Sequence, residues 1–474
     1  MSVVAAFAVP HPPLAVAGVG RGQEQKISAT LEAFREVGRR IAALEPDVLV
    51  FSSPHATAYL DYLHISPGTH ARGDFSQFGD PGDSFEVDYD AELVDRVCRE
   101  AREHGVPAGT SGERDRALDH GVMVPLSFIE AEGVRRPIVR IGISGLSPLL
   151  HYRLGECVER ACRDLGRRAV WVASGDLSHK LLAEGPYGFD PQGPVFDELV
   201  CDAFAKGDFG ALMRIPRDVA ESAAECGLRS FQMMAGAFDG RAVTAELLSH
   251  EGPYGVGYGV AAFVAVGGDT GDEDDEDRRF GNAYEAWRRA ELDRTRAAED
   301  PWVALSRASL ETWVREGRRL NVASYIAEHP DLPAELTRGR AGAFCSLKKD
   351  GELRGCIGTT GPTQPSLARE IAENAVSAGT RDPRFEPVDE DELDDLVYSV
   401  DVLGTPEAID SPASLDPARW GVIVSARDGR RGLLLPDLEG VDTVEQQVSI
   451  ARRKAGIGER EPVSLQRFEV VRHR

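Results

Sequence analysis

Residues 267–277, Gly-Gly-Asp-Thr-Gly-Asp-Glu-Asp-Asp-Glu-Asp, carry no apolar side chain. Such a run cannot bury a core and reads as a solvated, extended linker. It splits a chain of 474 residues, itself longer than one core usually serves. The sequence before it closes on an apolar strand pattern, Tyr258 to Val266, and the sequence after it resumes as an amphipathic helix near Ala304 to Glu316. The expected organisation is a first domain over 1–266, an acidic linker over 267–279 and a second domain over 280–474.

The first domain alternates strand and helix patterns. Val3 to Val9, Asp47 to Ser53, Pro137 to Ser144 and Ala169 to Ser174 are short, apolar, β-branched runs. Helical patterns cover Glu24 to Leu44, Ala91 to His104, Leu149 to Leu165 and Val219 to Ala237. This alternation predicts an α/β domain whose mostly parallel or mixed sheet is flanked by helices. Val243 to Ser249 and Gly255 to Val266 flank a Glu-Gly-Pro turn and predict an antiparallel pair at a sheet edge.

The second, smaller domain reads as α+β. Ala343 to Leu347 and Leu353 to Ile357 flank Lys349-Asp350-Gly351-Glu352, a hairpin signal. Strands are expected at Leu396 to Leu403 and Val422 to Ser425, the latter in a hairpin with Arg430 to Leu435 through Asp428-Gly429. A helix over Thr443 to Ala455 and a closing strand over Val463 to Val471 complete it.

A net charge of −24 argues against nucleic acid or an anionic membrane surface as a partner. The seven cysteines are dispersed and form no Cys-x-x-Cys pair, which fits a reducing cytoplasm. The apolar N-terminus lacks a basic n-region and is broken by Pro10, Pro12 and Pro13, so no signal peptide is expected. No apolar run reaches the ~20 residues of a membrane-spanning helix. A cytoplasmic protein is expected.

Chemistry concentrates in the first domain. His11, His55, His120 and His179 lie at strand ends or in Gly/Pro turns, and Glu251 follows a later strand. Side chains at strand ends converge on the crevice where open α/β sheets bind ligands. Two histidines and one carboxylate are the ligand set of a non-heme Fe(II) site that activates oxygen, and the remaining histidines suit proton transfer. Asp176 lies three residues before His179 and Asp119 directly precedes His120, so each carboxylate is placed to orient a histidine. His250 rivals Glu251 as a ligand and Glu246 is a more remote one. His64, His70, His104 and His151 have no such context.

The early His-Pro-Pro, the Ser-Pro-His after a strand, Asp-His-Gly, Gly-Asp-Leu-Ser-His and the late Glu-Gly-Pro with Gly-Val-Gly-Tyr together resemble the class III extradiol (LigB-type) dioxygenases and the related Memo family. The resemblance implies that His11, His55 and Glu251 bind Fe(II) and that His179 and His120 act as acid and base, with Asp176 beside His179. It also implies a small catecholic or related aromatic substrate, O2 as co-substrate and often a homo-oligomer. Memo-type members carry a cysteine near the late ligand position. With Glu251 in that region and no cysteine after Cys226 until the next domain, the extradiol set is expected rather than the Memo one. A Memo-like binding or scaffold protein, or a modification factor acting with a radical S-adenosylmethionine partner, is the alternative.

In the second half, Leu353-Arg354-Gly355-Cys356-Ile357-Gly358-Thr359 joins a cation, a thiol and two glycines. Gly355 and Gly358 permit close approach to a ligand, Arg354 suits an anion, and Cys356 is a nucleophile if its pKa is lowered. The plain alternative is a strand with a buried cysteine and a glycine bulge. Residues 300–474 resemble the AMMECR family through this string, Asp382-Pro383-Arg384-Phe385, Tyr398 to Leu403 and Arg431 to Pro436. The family cysteine before the Lys-Ala-Gly helix end is absent. Proteins resembling the two halves act beside a radical S-adenosylmethionine protein, so such a partner is a further expectation. This chain has no Cys-x-x-x-Cys-x-x-Cys cluster motif and is not itself that enzyme.

Overall fold

The computed structural model describes residues 2–112, 117–267, 275–438 and 440–474. The chain divides into two compact units, Met1–Arg288 and Arg289–Arg474, a division that falls within the helix Phe280–Ala297. Residues 268–274 of the expected linker lie outside the described residues.

The first unit is built on six strands: β1 (Val3–Val9), β2 (Val48–Ser53), β3 (Ile138–Gly142), β4 (Ala169–Ser174), β5 (Val243–Glu251) and β6 (Tyr258–Ala265). They lie in the order β3-β2-β4-β1-β6-β5. The first four are parallel, and β6 pairs antiparallel with both β1 and β5. The mixed α/β sheet and its antiparallel edge are therefore those expected. Strands β1, β2 and β4 are buried along their whole length, which is why they read as continuous apolar runs.

Helices cover both faces. On one, α1 (Ser28–Leu44) and α3 (His120–Ala131) pack Phe34, Ile41, Val122 and Leu126 against Phe7, Leu49 and Phe51. On the other, α2 (Ala91–Glu103), α4 (Pro148–Leu165), α5 (Gln192–Lys206) and α6 (Leu228–Gly236) bury Val97, Leu154, Phe196 and Phe231 against Trp171 and Val50. Each such side chain contributes about 1.5–3 kcal/mol on leaving water. A hairpin, His70–Phe75 with Asp80–Asp88, was not anticipated; its outer face is polar and only Ala71, Phe75, Phe85 and Val87 turn inward.

One expected helix is two. The pattern over Val219 to Ala237 breaks into Arg217–Ala223 and α6, because Ala224 turns left-handed at φ 52° and Gly227 precedes the new helix. The break lets backbones touch: a Cβ on Gly175 would stand 2.1 Å from the Gly227 Cα.

The second unit holds two antiparallel sheets. In the first, β8 (Glu352–Gly358), β7 (Ala343–Lys349), β9 (Leu396–Leu403) and β14 (Val470–His473) are neighbours in that order. Helices α7 (Pro301–Glu316) and α8 (Leu367–Thr380) share its core through Leu310, Ile371 and Ala375. In the second, the order is β10 (Glu407–Ile409), β13 (Val463–Phe468), β11 (Gly421–Ala426) and β12 (Arg431–Leu434), with α9 (Val444–Lys454) covering it. The β7–β8 turn has positive φ at Asp350 and Gly351, as a two-residue hairpin requires. The expected strand Val463 to Val471 is divided at Glu469, since its two halves belong to different sheets. Among the described residues no helix is long and apolar enough to cross a membrane.

Candidate metal centre

Neighbouring parallel strands β2, β4 and β1 end side by side, and the residues that follow them converge. His11 comes two residues after β1 and is 2% exposed. Its backbone N–H donates to Asp176 Oδ1 (2.9 Å), and its Nδ1 faces Ser174 Oγ at 3.0 Å, at the end of β4. Its Nε2 is 2.9 Å from His55 Nε2, just beyond β2. Ser53 ties this loop down: its Oγ accepts from the His55 N–H at 3.2 Å and donates to Asp119 Oδ1 at 2.6 Å. Asp119 caps α3, placing His120 at the first turn with its ring 4.0 Å from that of His55. Gly121 is required there, for a Cβ would meet Ser53 Oγ at 2.3 Å.

The third metal-type donor is Cys226. Its Sγ lies 3.7 Å from His11 Nε2. His11, His55 and Cys226 each offer a ligand atom within 4.8 Å of the others. Glu251 is not in this group. Its Oε1 accepts from Thr30 N (2.6 Å) and Thr30 Oγ1 (2.7 Å), in the first turn of α1. A carboxylate there satisfies free N–H groups and the positive end of the helix. Of the expected set of His11, His55 and Glu251, the fold brings His11 and His55 together with Cys226, while Glu251 is bonded to Thr30. The rivals are also engaged elsewhere: His250 Nε2 pairs with buried Asp197 (2.7 Å) and Glu246 with Arg40 (2.8 Å).

His179 and Asp176 complete the pocket. His179 donates Nδ1–H to the Ala224 carbonyl, which fixes the tautomer and leaves Nε2 as the basic nitrogen. That Nε2 stands 3.8 Å from Asp176 Oδ2, which is 3.9 Å from His11 Nε2. The sequence candidates His11, His55, His120, Asp176 and His179 therefore come together, while Glu251 stands apart.

The electrostatics favour neutral ligands. Burial, reinforced by neighbouring imidazoles, holds His11 well below its ordinary range and lowers His120 to about 4; burial lowers His55 as well. Burial also raises the Asp176 carboxyl and pushes the Cys226 thiol well up. The donor set fits a metal ion. Bonds of roughly 2.0–2.1 Å to nitrogen and 2.3 Å to sulfur place tetrahedral ligand atoms about 3.3–3.6 Å apart, a range that lies between the 2.9 Å from His11 to His55 and the 3.7 Å from His11 to Cys226. A cation would also replace the proton that two opposed imidazole nitrogens otherwise share, and would stabilise the thiolate against burial.

In the second unit Arg354 is already engaged. Its Nε and Nη2 fork onto Glu392 (3.0 and 2.7 Å), and Nη1 donates to the Glu386 carbonyl. Cys356 donates its N–H to Asp382 Oδ2 (2.9 Å), and its sulfur accepts from Ser346 Oγ at 3.2 Å. Burial raises its thiol, so the lowered pKa of an activated nucleophile is not found. The glycines serve packing: a Cβ on Gly355 would lie 2.2 Å from the Ala378 carbonyl, and one on Gly358 equally close to Phe344.

An imidazole–thiol cluster, buried at His11, half-buried at Cys226 and open to solvent at His55, at the carboxyl ends of a mixed α/β sheet defines the class of site. The family model for the catalytic LigB subunit of aromatic ring-opening dioxygenase matches residues 5–261, and that for AMMECR1 matches 303–473. The chain belongs to the LigB family, with an AMMECR1 domain in its C-terminal part. A Clostridium acetobutylicum protein is 38% identical over 482 aligned positions, covering 100% of both chains. A Thermotoga maritima protein is 51% identical over 178 positions, covering 37% of this chain and 98% of its own. A solved structure of an uncharacterized Pyrococcus horikoshii protein aligns with 29% identity and a TM-score of 0.32, over 36% of this chain and 88% of its own. One from Escherichia coli K12 aligns with 15% identity and a TM-score of 0.36, over 55% and 99%.

Proposed function

We propose that the first unit is an Fe(II)-dependent oxidoreductase of the extradiol ring-opening type, acting on a small catecholic or related aromatic substrate with O2. The observation that supports it is the convergence of His11, His55 and Cys226 with His120, Asp176 and His179 at adjacent strand ends. His11, His55 and Cys226 would hold the ion, and Fe(II) there would supply electron transfer between catechol and dioxygen. His179 Nε2 is the base that takes a substrate hydroxyl proton, because its Nδ1–H is committed to Ala224. Asp176 steadies the resulting imidazolium. His120, neutral at ordinary pH, holds a second proton position beside His55. Both oxygen atoms enter the ring-opened product as one C–C bond breaks, so no external reductant is needed.

Metal analysis of anaerobically purified protein, with oxygen uptake on a catechol panel, tests this. About one iron per chain, lost in His11→Ala and Cys226→Ser but kept in Glu251→Gln, with catechol-dependent uptake, is the expected result. Failure to bind iron after Fe(II) loading would overturn it.

Cys226 favours a second reading. A thiolate beside two imidazoles is softer than a carboxylate and suits copper as well as iron. On this reading the unit is a Memo-like metal-redox or binding protein, and the chain works with a radical S-adenosylmethionine partner. Copper retained in preference to iron, no catechol oxidation and co-purification of such an enzyme would favour it.

A further inference from the structure

Each of the two imidazoles assigned to proton transfer meets one aromatic ring edge to face. Phe78 stands 5.2 Å from His120 at 72°, and Tyr187 stands 5.1 Å from His179 at 62°. The two rings come from unrelated elements. Phe78 lies in the turn of the His70–Phe75/Asp80–Asp88 hairpin and is half-buried against the core. Tyr187 lies on the loop that follows His179, closed by a bridge between Leu181 and Phe189.

That loop is apolar and wet. Leu182, Tyr187 and Phe189 are 40, 62 and 54% exposed. It is also held in place. The Leu181 N–H donates to the Gly255 carbonyl at 3.0 Å, and a Cβ on Gly185 would lie 3.1 Å from the Gly255 Cα. A pinned loop that keeps a large ring exposed beside a functional imidazole leaves apolar area to be covered by a ligand.

We propose that Phe78, beside His120, and Tyr187, beside His179, are specificity-determining residues of the substrate site, favouring a planar aromatic ring that packs against them. Aromatic rings prefer edge-to-face and offset contacts at centroid distances of roughly 4.5–7 Å, the range these side chains already hold with the imidazoles. The assignment deepens the catechol reading given above and rests on it for the site, while adding which side chains choose the ring.

The test is anaerobic absorbance titration of the iron-loaded full chain with 4-nitrocatechol, with iron content measured in the same samples. Tyr187→Ala and Phe78→Leu are expected to weaken binding about tenfold and a few-fold respectively, and Tyr187→Phe to stay within about twofold. Iron content should not change, since neither ring offers a ligand atom. Tyr187 is exposed, so Tyr187→Ala remains informative if Phe78→Leu folds poorly. Unchanged probe affinity in Tyr187→Ala, or no probe binding by the iron-loaded native chain, would overturn the proposal. Ring-dependent probe binding without oxygen uptake would uphold this role of the two residues and remove the ring-opening reading.

Discussion

Cys226 Sγ lies 3.7 Å from His11 Nε2, although 215 residues separate them in sequence. The contact is made from both sides by backbone. The Asp176 N–H donates to the cysteine sulfur at 3.3 Å, and the glycines next to these residues, Gly175 before Asp176 and Gly227 after Cys226, let the two segments touch. One short break between helices therefore places a thiol beside the two histidines.

That dependence is testable without altering a donor atom. In Gly175→Ala the new methyl would stand 2.1 Å from the Gly227 Cα, so the Cys226 segment must move. Metal affinity should fall on the order of 10–100-fold, as for other residues that orient ligands. Isothermal titration with Fe(II) or Cu(I) checks it. Affinity equal to that of the native chain would show that the contact does not position the thiol.

Glu251 should behave as a helix-terminus residue. Glu251→Ala removes the acceptor of two Thr30 donors in the first turn of α1. A loss of about 1–2 kcal/mol is expected, seen as a lower Tm of the metal-free protein, with metal stoichiometry unchanged. Loss of metal at constant Tm would restore Glu251 as a ligand.

Much of this was legible in the sequence, for reasons that differ by element. The buried strands announced themselves because β1, β2 and β4 are apolar on both faces. The five polar residues of the pocket were legible because strand ends are where such side chains converge. Cys226 was hidden inside a helical period that continues from Val219 to Ala237; the stop is the left-handed turn at Ala224 ahead of Gly227, and what it serves, the close approach to Gly175, is a tertiary contact. Where the Glu251 side chain points was not legible, because position along the chain does not fix it, and here its carboxylate accepts from Thr30 at a helix N-terminus. Phe78 was unreadable because its hairpin is mostly polar on the outside and short of alternating apolar residues.

The second unit offers an ion-pair prediction. Burial works against the Glu392 carboxylate, but hydrogen bonds from Arg354 and Lys349 outweigh it and bring its pKa to about 2. A carboxylate lowered on folding contributes stability that is present above its unfolded value and is lost as pH falls through about 2. Arg354→Met leaves Glu392 with Lys349 and the Asp389 N–H, and should cost roughly 1–3 kcal/mol at neutral pH. The penalty should shrink as Glu392 protonates, which denaturant melts between neutral and acidic pH will show. A penalty independent of pH would place the role of Arg354 in packing instead.

His151 gives a pH dependence distant from the donor atoms. It is fully buried at the start of α4, where Nδ1–H donates to the Ser147 carbonyl at 2.9 Å and Nε2 accepts from the Ser144 N–H at 3.1 Å. Burial, helped by the Arg229 charge, lowers it to about 3. A histidine lowered on folding supports the native state above its unfolded pKa and withdraws that support as pH falls toward the folded value. Protonation would also turn the Nε2 acceptor into a donor facing the Ser144 N–H. Stability of the native chain should therefore decline between about pH 6.5 and 3, at up to roughly 1.4 kcal/mol per pH unit from this group alone. His151→Gln keeps an amide acceptor but cannot titrate. It should be less stable at neutral pH, because its shape fits the two partners poorly, and its stability should fall less steeply over that window. Equal slopes for both proteins in urea melts from pH 7 to 4 would remove His151 as a source of the acid sensitivity.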